Sequence, residues 1–132
     1  TAREIRTGEF QATGGGAAEF KAAVCAAMST VGNCSKLRVD VVSSATGKFS
    51  NLTLPKSPTG CSGTPAQVQA CQAAPPAMPA DDYNDTGSGN VVIVRVQYVH
   101  QLAVPTYLTK LANASGNTHV ITATTAFKNE PF

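Results

Sequence analysis

With 132 residues, 42% of them hydrophobic and 14% charged, and a net charge of +2, the chain has the size of one domain around one core. No Lys/Arg run occurs, Trp is absent and the three Tyr are scattered, which excludes a surface built to track phosphates and stack bases. No stretch approaches the ~20 continuous apolar residues of a membrane helix, and no signal peptide is present. The polarity comes from Thr, Ser, Asn, Gln and Gly, a composition common in extracytoplasmic domains.

In chain order, Ala2 to Gln11 has helical composition, but Ile5 and Phe10 are too far apart for a convincing stripe. No start signal precedes Arg3, so the segment reads as the continuation of something longer. Gly14, Gly15 and Gly16 interrupt it, since each glycine costs about 1 kcal/mol in a helix relative to alanine. From Ala17 to Thr30, Phe20, Val24 and Met28 recur at i, i+4 and i+8, which predicts a helix ending at Gly32-Asn33. Leu37 to Ser43 alternates Leu37, Val39 and Val41 against Arg38 and Asp40, the period of a half-buried strand.

Ser44 to Asn90 is a long excursion carrying Pro55, Pro58, Pro65, Pro75, Pro76 and Pro79. Within it TPAQVQACQ predicts a short helix, with Thr64 as cap and Pro65 at the first position. Asn90 to Val99 is the strongest strand: Val92, Val94, Val96 and Tyr98 form an apolar face, and Arg95 and Gln97 mark the other as partly solvated. Pro105 to Ala112 reads as a short helix and Thr118 to Asn129 as the last strand. The order predicts an α+β domain, its long helix packed on a small, mainly antiparallel three-stranded sheet.

Cys25, Cys34, Cys61 and Cys71 include no CxxC pair, so disulfides fit better than zinc. Of three possible connectivities the local one, 25/34 and 61/71, is expected, with four free thiols as the alternative in a reducing compartment. Each loop of about ten residues would contribute roughly 2 to 3 kcal/mol. Disulfides require export, so an export element is expected upstream of Thr1.

Ser62 and Ser88 lie in Gly-rich loops without a GxSxG elbow, and neither a P-loop nor a GxGxxG occurs. His100 and His119 read as surface or strand-edge residues. Asp82, Asn84 and Gly87 match calcium-loop positions 1, 3 and 6, but Ile93 stands where the terminal Glu ligand belongs, so this acidic stretch reads as a turn before a strand. No catalytic, cofactor-binding or metal site is therefore expected. NLT, NDT and NAS match the glycosylation sequon, which matters only along a eukaryotic secretory route.

Three stretches taken together resemble the TadE family of minor pilin-like proteins, which serve the tight-adherence (Flp-type) pilus machinery of bacteria. They are AREIRTGEFQA, then FKAAVCAAMSTVGNCSKLRVDV, and finally VVIVRVQYVHQLAVPTYLTKL followed by ITATTAFKNEPF. They cover both ends of the chain and leave out the 44–90 excursion, where variation is expected. The resemblance implies a pilin-like fold, with residues 1–12 as the outer stub of an N-terminal helix in the inner membrane and about 20 apolar residues directly upstream of Thr1. It also implies a structural role in initiating, priming or tipping a pilus. The partners would be other pilin-like subunits, and the location the cell envelope or the pilus itself. One departure is GGG before AAEFK, where a polar cap would be expected.

Under this resemblance the tail Phe127, Lys128, Asn129, Glu130, Pro131 and Phe132 is a candidate partner-binding element. Aromatics flank Lys128 and Glu130, and Pro131 cannot donate to a strand. The tail should therefore fold back, with Phe127 completing the core, or dock onto a partner. The alternative reading of the whole chain is a secreted adhesin or ligand-binding module that uses the 44–90 loop.

Overall fold

The computed structural model describes residues 2–28, 30, 32–58, 60–74, 79–104 and 110–131. Its centre is a sheet of β1 (Leu37–Ser44), β2 (Asp82–Tyr83), β3 (Val91–Gln101) and β4 (Thr118–Lys128), in the order β2-β1-β3-β4. β3 runs antiparallel to both β1 and β4, pairing Val39 with Val96 and Val96 with Ala123. β2 lies parallel to β1, Asp40 opposite Asp82 and Val41 opposite Tyr83.

The fold is α+β as expected, but the sheet is four-stranded and mixed rather than three-stranded. The added strand comes from the acidic stretch read as a turn, and side chains hold it in place. Asp81 Oδ1 accepts from the Val39 amide at 2.9 Å, Asp40 Oδ1 accepts from the Asp82 amide at 3.3 Å, and the Asn84 amide donates to Val41 O at 2.8 Å. Lys21 Nζ meets Asp81 Oδ2 at 2.6 Å and ties this edge to the helical layer.

That layer comprises α1 (Ala2–Thr7), α2 (Glu9–Ala12) and α3 (Ala17–Ala27). The N-terminal segment is two short helices because Gly8 takes a left-handed φ of 78°, which glycine adopts without strain. The break lets Ile5 and Phe10, too widely spaced for one stripe, enter the same core. Phe10 meets Phe20 of α3 edge-on at 5.7 Å between ring centroids. Leu37, Val39, Val41, Val92 and Val94 complete this cluster from the sheet, with Val24, Cys25 and Met28 packed against it.

Lacking a polar cap, α3 begins at Gly16, whose amide donates to Glu19 Oε2 at 3.1 Å. It ends at Ala27, before the expected Thr30, where the Met28 amide reaches both Val24 O and Cys25 O. Cys25 is bridged to Cys34, with Cα atoms 5.6 Å apart. Gly32 lets the chain pass close to Tyr98 on this return: a Cβ there would lie 2.8 Å from the Tyr98 ring, whose hydroxyl accepts from the Asn33 amide.

The opposite face of the sheet corrects a second expectation. Arg38 is 2% exposed, Asp40 0%, Arg95 5% and Gln97 1%, so across β1 and β3 this face is buried, not half-solvated. Excursion residues 55–57 lie over it, as their hydrogen bonds to Arg38, Arg95 and Gln97 show.

Further along the excursion, α4 (Pro65–Ala73) forms as expected, with the Gln67 amide donating to Thr64 Oγ1 at 3.4 Å and the Thr64 amide to Gln67 Oε1 at 2.8 Å. Cys61 and Cys71 are bridged, 5.7 Å between Cα atoms. Of the helix expected over 105–112, residues 105–109 lie outside the described residues, and Lys110 to Ala112 are irregular, Lys110 having φ 53°. A small second cluster, Val99, Ala114 and Val120, closes that end of the sheet.

Candidate partner-binding surfaces

The C-terminal tail turns back onto the domain. Phe127, opposite Val92 at the end of β4, packs against the main core, while Lys128 stays exposed. Asn129 is buried: its amide donates to Asn90 O at 2.8 Å and its Nδ2 to Gly87 O at 2.9 Å. The Glu130 amide donates to Arg6 O at 2.9 Å, and Glu130 Oε1 accepts from Arg6 Nε at 3.0 Å and Nη2 at 2.7 Å. Pro131 is exposed, and Phe132 lies outside the described residues. The tail thus straps α1 to the turn before β3, and Lys128 and Pro131 face outward.

These contacts differ in worth. The Arg6–Glu130 pair has side chains 53% and 51% exposed, so water screens it, and Glu130→Gln should cost under about 1 kcal/mol. Asn129→Ala removes a buried donor from Gly87 O and should cost about 1 to 3 kcal/mol. Urea unfolding of the two variants at neutral pH checks this order, and equal losses would contradict it.

The excursion is held by charge. Asp40 Oδ1 accepts from Arg38 Nε at 3.0 Å, and Asp40 Oδ2 accepts from Arg95 Nε at 2.9 Å and Nη2 at 2.6 Å. One carboxylate leaves two buried guanidiniums with donors to spare, and the excursion supplies acceptors. Arg95 donates to Pro55 O at 2.6 Å and to Ser57 Oγ at 3.1 Å, and Arg38 donates to Lys56 O at 2.9 Å. Gln97 Nε2 adds a bond to Ser57 Oγ at 3.0 Å. Sequence reading missed this cluster because Arg38, Asp40, Arg95 and Gln97 alternate as a solvated face would. A usable signal was present: opposite charges fall at matching phases of adjacent strands, and Asp40 sits directly opposite Arg95.

An apolar groove of about 210 Å³ opens between the helical layer and the outer half of the sheet, with Ala2, Phe20, Val24, Val96 and Ala123 in its walls. His100 lies at the end of β3, directly opposite His119 of β4; His119 Nδ1 is 2.6 Å from Leu111 O. Ser62 and Ser88 are exposed. Among the described residues no three His, Cys, Asp or Glu side chains are grouped to hold a metal, and no helix is long and apolar enough to cross a membrane. Burial raises the Tyr83 phenol above its ordinary pKa, with Asp85 and Glu19 adding to the effect. The protonated phenol's contribution to stability is complete below about pH 10 and is lost as pH rises through the higher folded value.

Comparison with known proteins finds no matching family model, curated protein or solved structure.

Proposed function

We propose that this chain is a structural subunit of a bacterial surface-filament machinery, and specifically a TadE-like minor pilin or pseudopilin of a tight-adherence, Flp-type pilus. The observation that carries the reading is that the two ends bearing the resemblance meet. AREIRTGEFQA and AFKNEPF join through Arg6 and Glu130, and Ile5, Phe10 and Phe127 share one core. In this reading the fold is pilin-like, and the N-terminal segment continues from an inner-membrane helix. The extracytoplasmic domain then contacts other pilin-like subunits, in the envelope or in the pilus, through the exposed tail beside α1. It performs no catalysis and uses no cofactor. The two disulfides suit an exported domain.

The adhesin reading draws on the excursion, which is stapled, latched to the sheet, and exposes Phe49 and Leu54.

The test is made in the native genome. Deleting Pro131 and Phe132 from the full-length protein should leave the melting of the soluble domain unchanged while piliation and co-purification with other pilin-like subunits are lost. Untouched piliation, or melting lower by several degrees, removes the docking role from the tail. Full piliation after deletion of the whole gene overturns the pilus reading, and loss of surface binding with pili intact would favour the adhesin.

A further inference from the structure

We propose that β4 is a self-pairing edge: two copies of this chain join antiparallel through their β4 strands, about a two-fold axis at Thr124, to form one continuous sheet.

The geometry begins at Asn113. Its Oδ1 accepts from the Val120 amide at 2.6 Å and its Nδ2 donates to Val120 O at 3.1 Å, while Thr118 O accepts from the Asn113 amide at 3.1 Å and the Ala114 amide at 3.3 Å. The backbone groups of residues 118 and 120 therefore point away from β3. The period of a strand sends those of Thr122, Thr124 and Ala126 the same way. Asn113 imitates a neighbouring strand for one residue and stops. Among the described residues, nothing bonds the outward backbone groups of the next three positions.

Edges of this kind are usually blunted by lysine, proline, a bulge or a cover. Here the β3–β4 register is unbroken from Val91–Lys128 to Gln101–Thr118, so no bulge occurs. From Thr118 to Phe127 there is no Lys, Arg, Asp, Glu or Pro. Residues 121 to 126 are exposed on both faces.

A second copy of the same edge fits it better than an unspecified strand. With the axis at Thr124, Thr124 pairs with its own copy and Thr122 with Ala126, each pair exchanging two backbone bonds, so all three free positions are used. On the helix-side face Ile121, 55% exposed, comes opposite Phe127, and Ala123 opposite Thr125, at the positions where cross-strand side chains approach most closely. Neighbouring registers are worse. An axis at Ala123 sets Ala126, one of the three free positions, against Val120, whose backbone Asn113 already occupies, whereas the Thr124 axis brings only Lys128, beyond those positions, to Val120; an axis at Thr125 sets Ile121 against Asn129, which is committed to Gly87 and Asn90.

Sedimentation equilibrium of the purified chain over a wide concentration range tests the pairing. The expected result is reversible association to twice the monomer mass, lost in Thr124→Lys, which places like charges at the axis, and in Thr124→Pro, which removes an outward N–H only. Thr124 is exposed, so unchanged melting of Thr124→Lys certifies its fold. Amide hydrogen exchange gives the register: Thr122, Thr124 and Ala126 should slow by about tenfold or more with rising concentration, because pairing buries donors that are open in the monomer. A chain that stays monomeric, a dimer that persists in Thr124→Lys, or protection that appears only with a different protein bound would overturn the proposal.

Discussion

Asp40→Asn is expected to lower the free energy of unfolding by about 3 to 5 kcal/mol. The side chain keeps its shape and only one carboxylate oxygen is exchanged for an NH2 group, so packing hardly changes. Charge does change: Arg38 and Arg95, both almost wholly buried, lose the one carboxylate that lies between them. Two desolvated guanidiniums then face each other across the strand pair with only neutral acceptors, Pro55 O, Lys56 O and Ser57 Oγ, for company. Because those acceptors belong to the excursion, the latch over the second face should loosen as well, and residues around 55–57 should become more accessible to protease. Removing the whole cluster is a different experiment. Replacing Arg38, Asp40 and Arg95 together by apolar residues of similar volume should be close to neutral for stability, since a buried ion cluster returns little beyond its own desolvation. Urea unfolding at neutral pH, read with constant m, distinguishes the two. An Asp40→Asn loss below about 1 kcal/mol would mean that water reaches the cluster and that the excursion is not latched by it.

The elements that were legible in the sequence are those whose signal is local. Phe20, Val24 and Met28 lie one helical turn apart and α3 follows; β1, β3 and β4 alternate and become strands; Thr64 and Pro65 open α4; and each cysteine pairs with its nearest sequence neighbour. What escaped depends on residues far apart in the chain. β2 has two residues, too few for any period, and exists because Asp81 and Asp40 accept backbone amides across the edge. The alternation of Arg38 and Asp40 shows that β1 has a second face but not that residues 55–57 cover it. Arg6 and Glu130 are separated by 124 positions, so the tail could be singled out while its attachment could not. The edge of β4 escaped for another reason: hydrogen-bond direction along a strand is invisible until one contact, here Asn113 on Val120, fixes its phase.

The second large effect concerns the two disulfides, which a chain-entropy argument treats as equals. They close loops with sequence separations of 9 and 10, and either should constrain the unfolded chain by about 2.5 to 3 kcal/mol. Their surroundings differ. Cys25 lies on α3 against the main core, and Cys34 leads into β1 at buried Leu37, so that bridge joins two parts that separate only when the core opens. Cys71 lies on α4, which buries no residue and is tied to the rest of the chain by a bond from the Gly116 amide to Cys71 O at 3.2 Å. A helix held so lightly can detach at a free energy well below that of global unfolding, and its bridge then stabilises a local unit rather than the whole. Replacing Cys25 and Cys34 by alanine should therefore lower global stability by about 2 to 4 kcal/mol, seen as a lower urea midpoint. Replacing Cys61 and Cys71 should move that midpoint by under about 1 kcal/mol, yet make the 60–74 segment the first site of limited proteolysis, at a rate set by local opening. Equal losses in the two pairs would place α4 inside the cooperative unit, and the excursion would then have to be treated as part of the folded core rather than as a latched surface element.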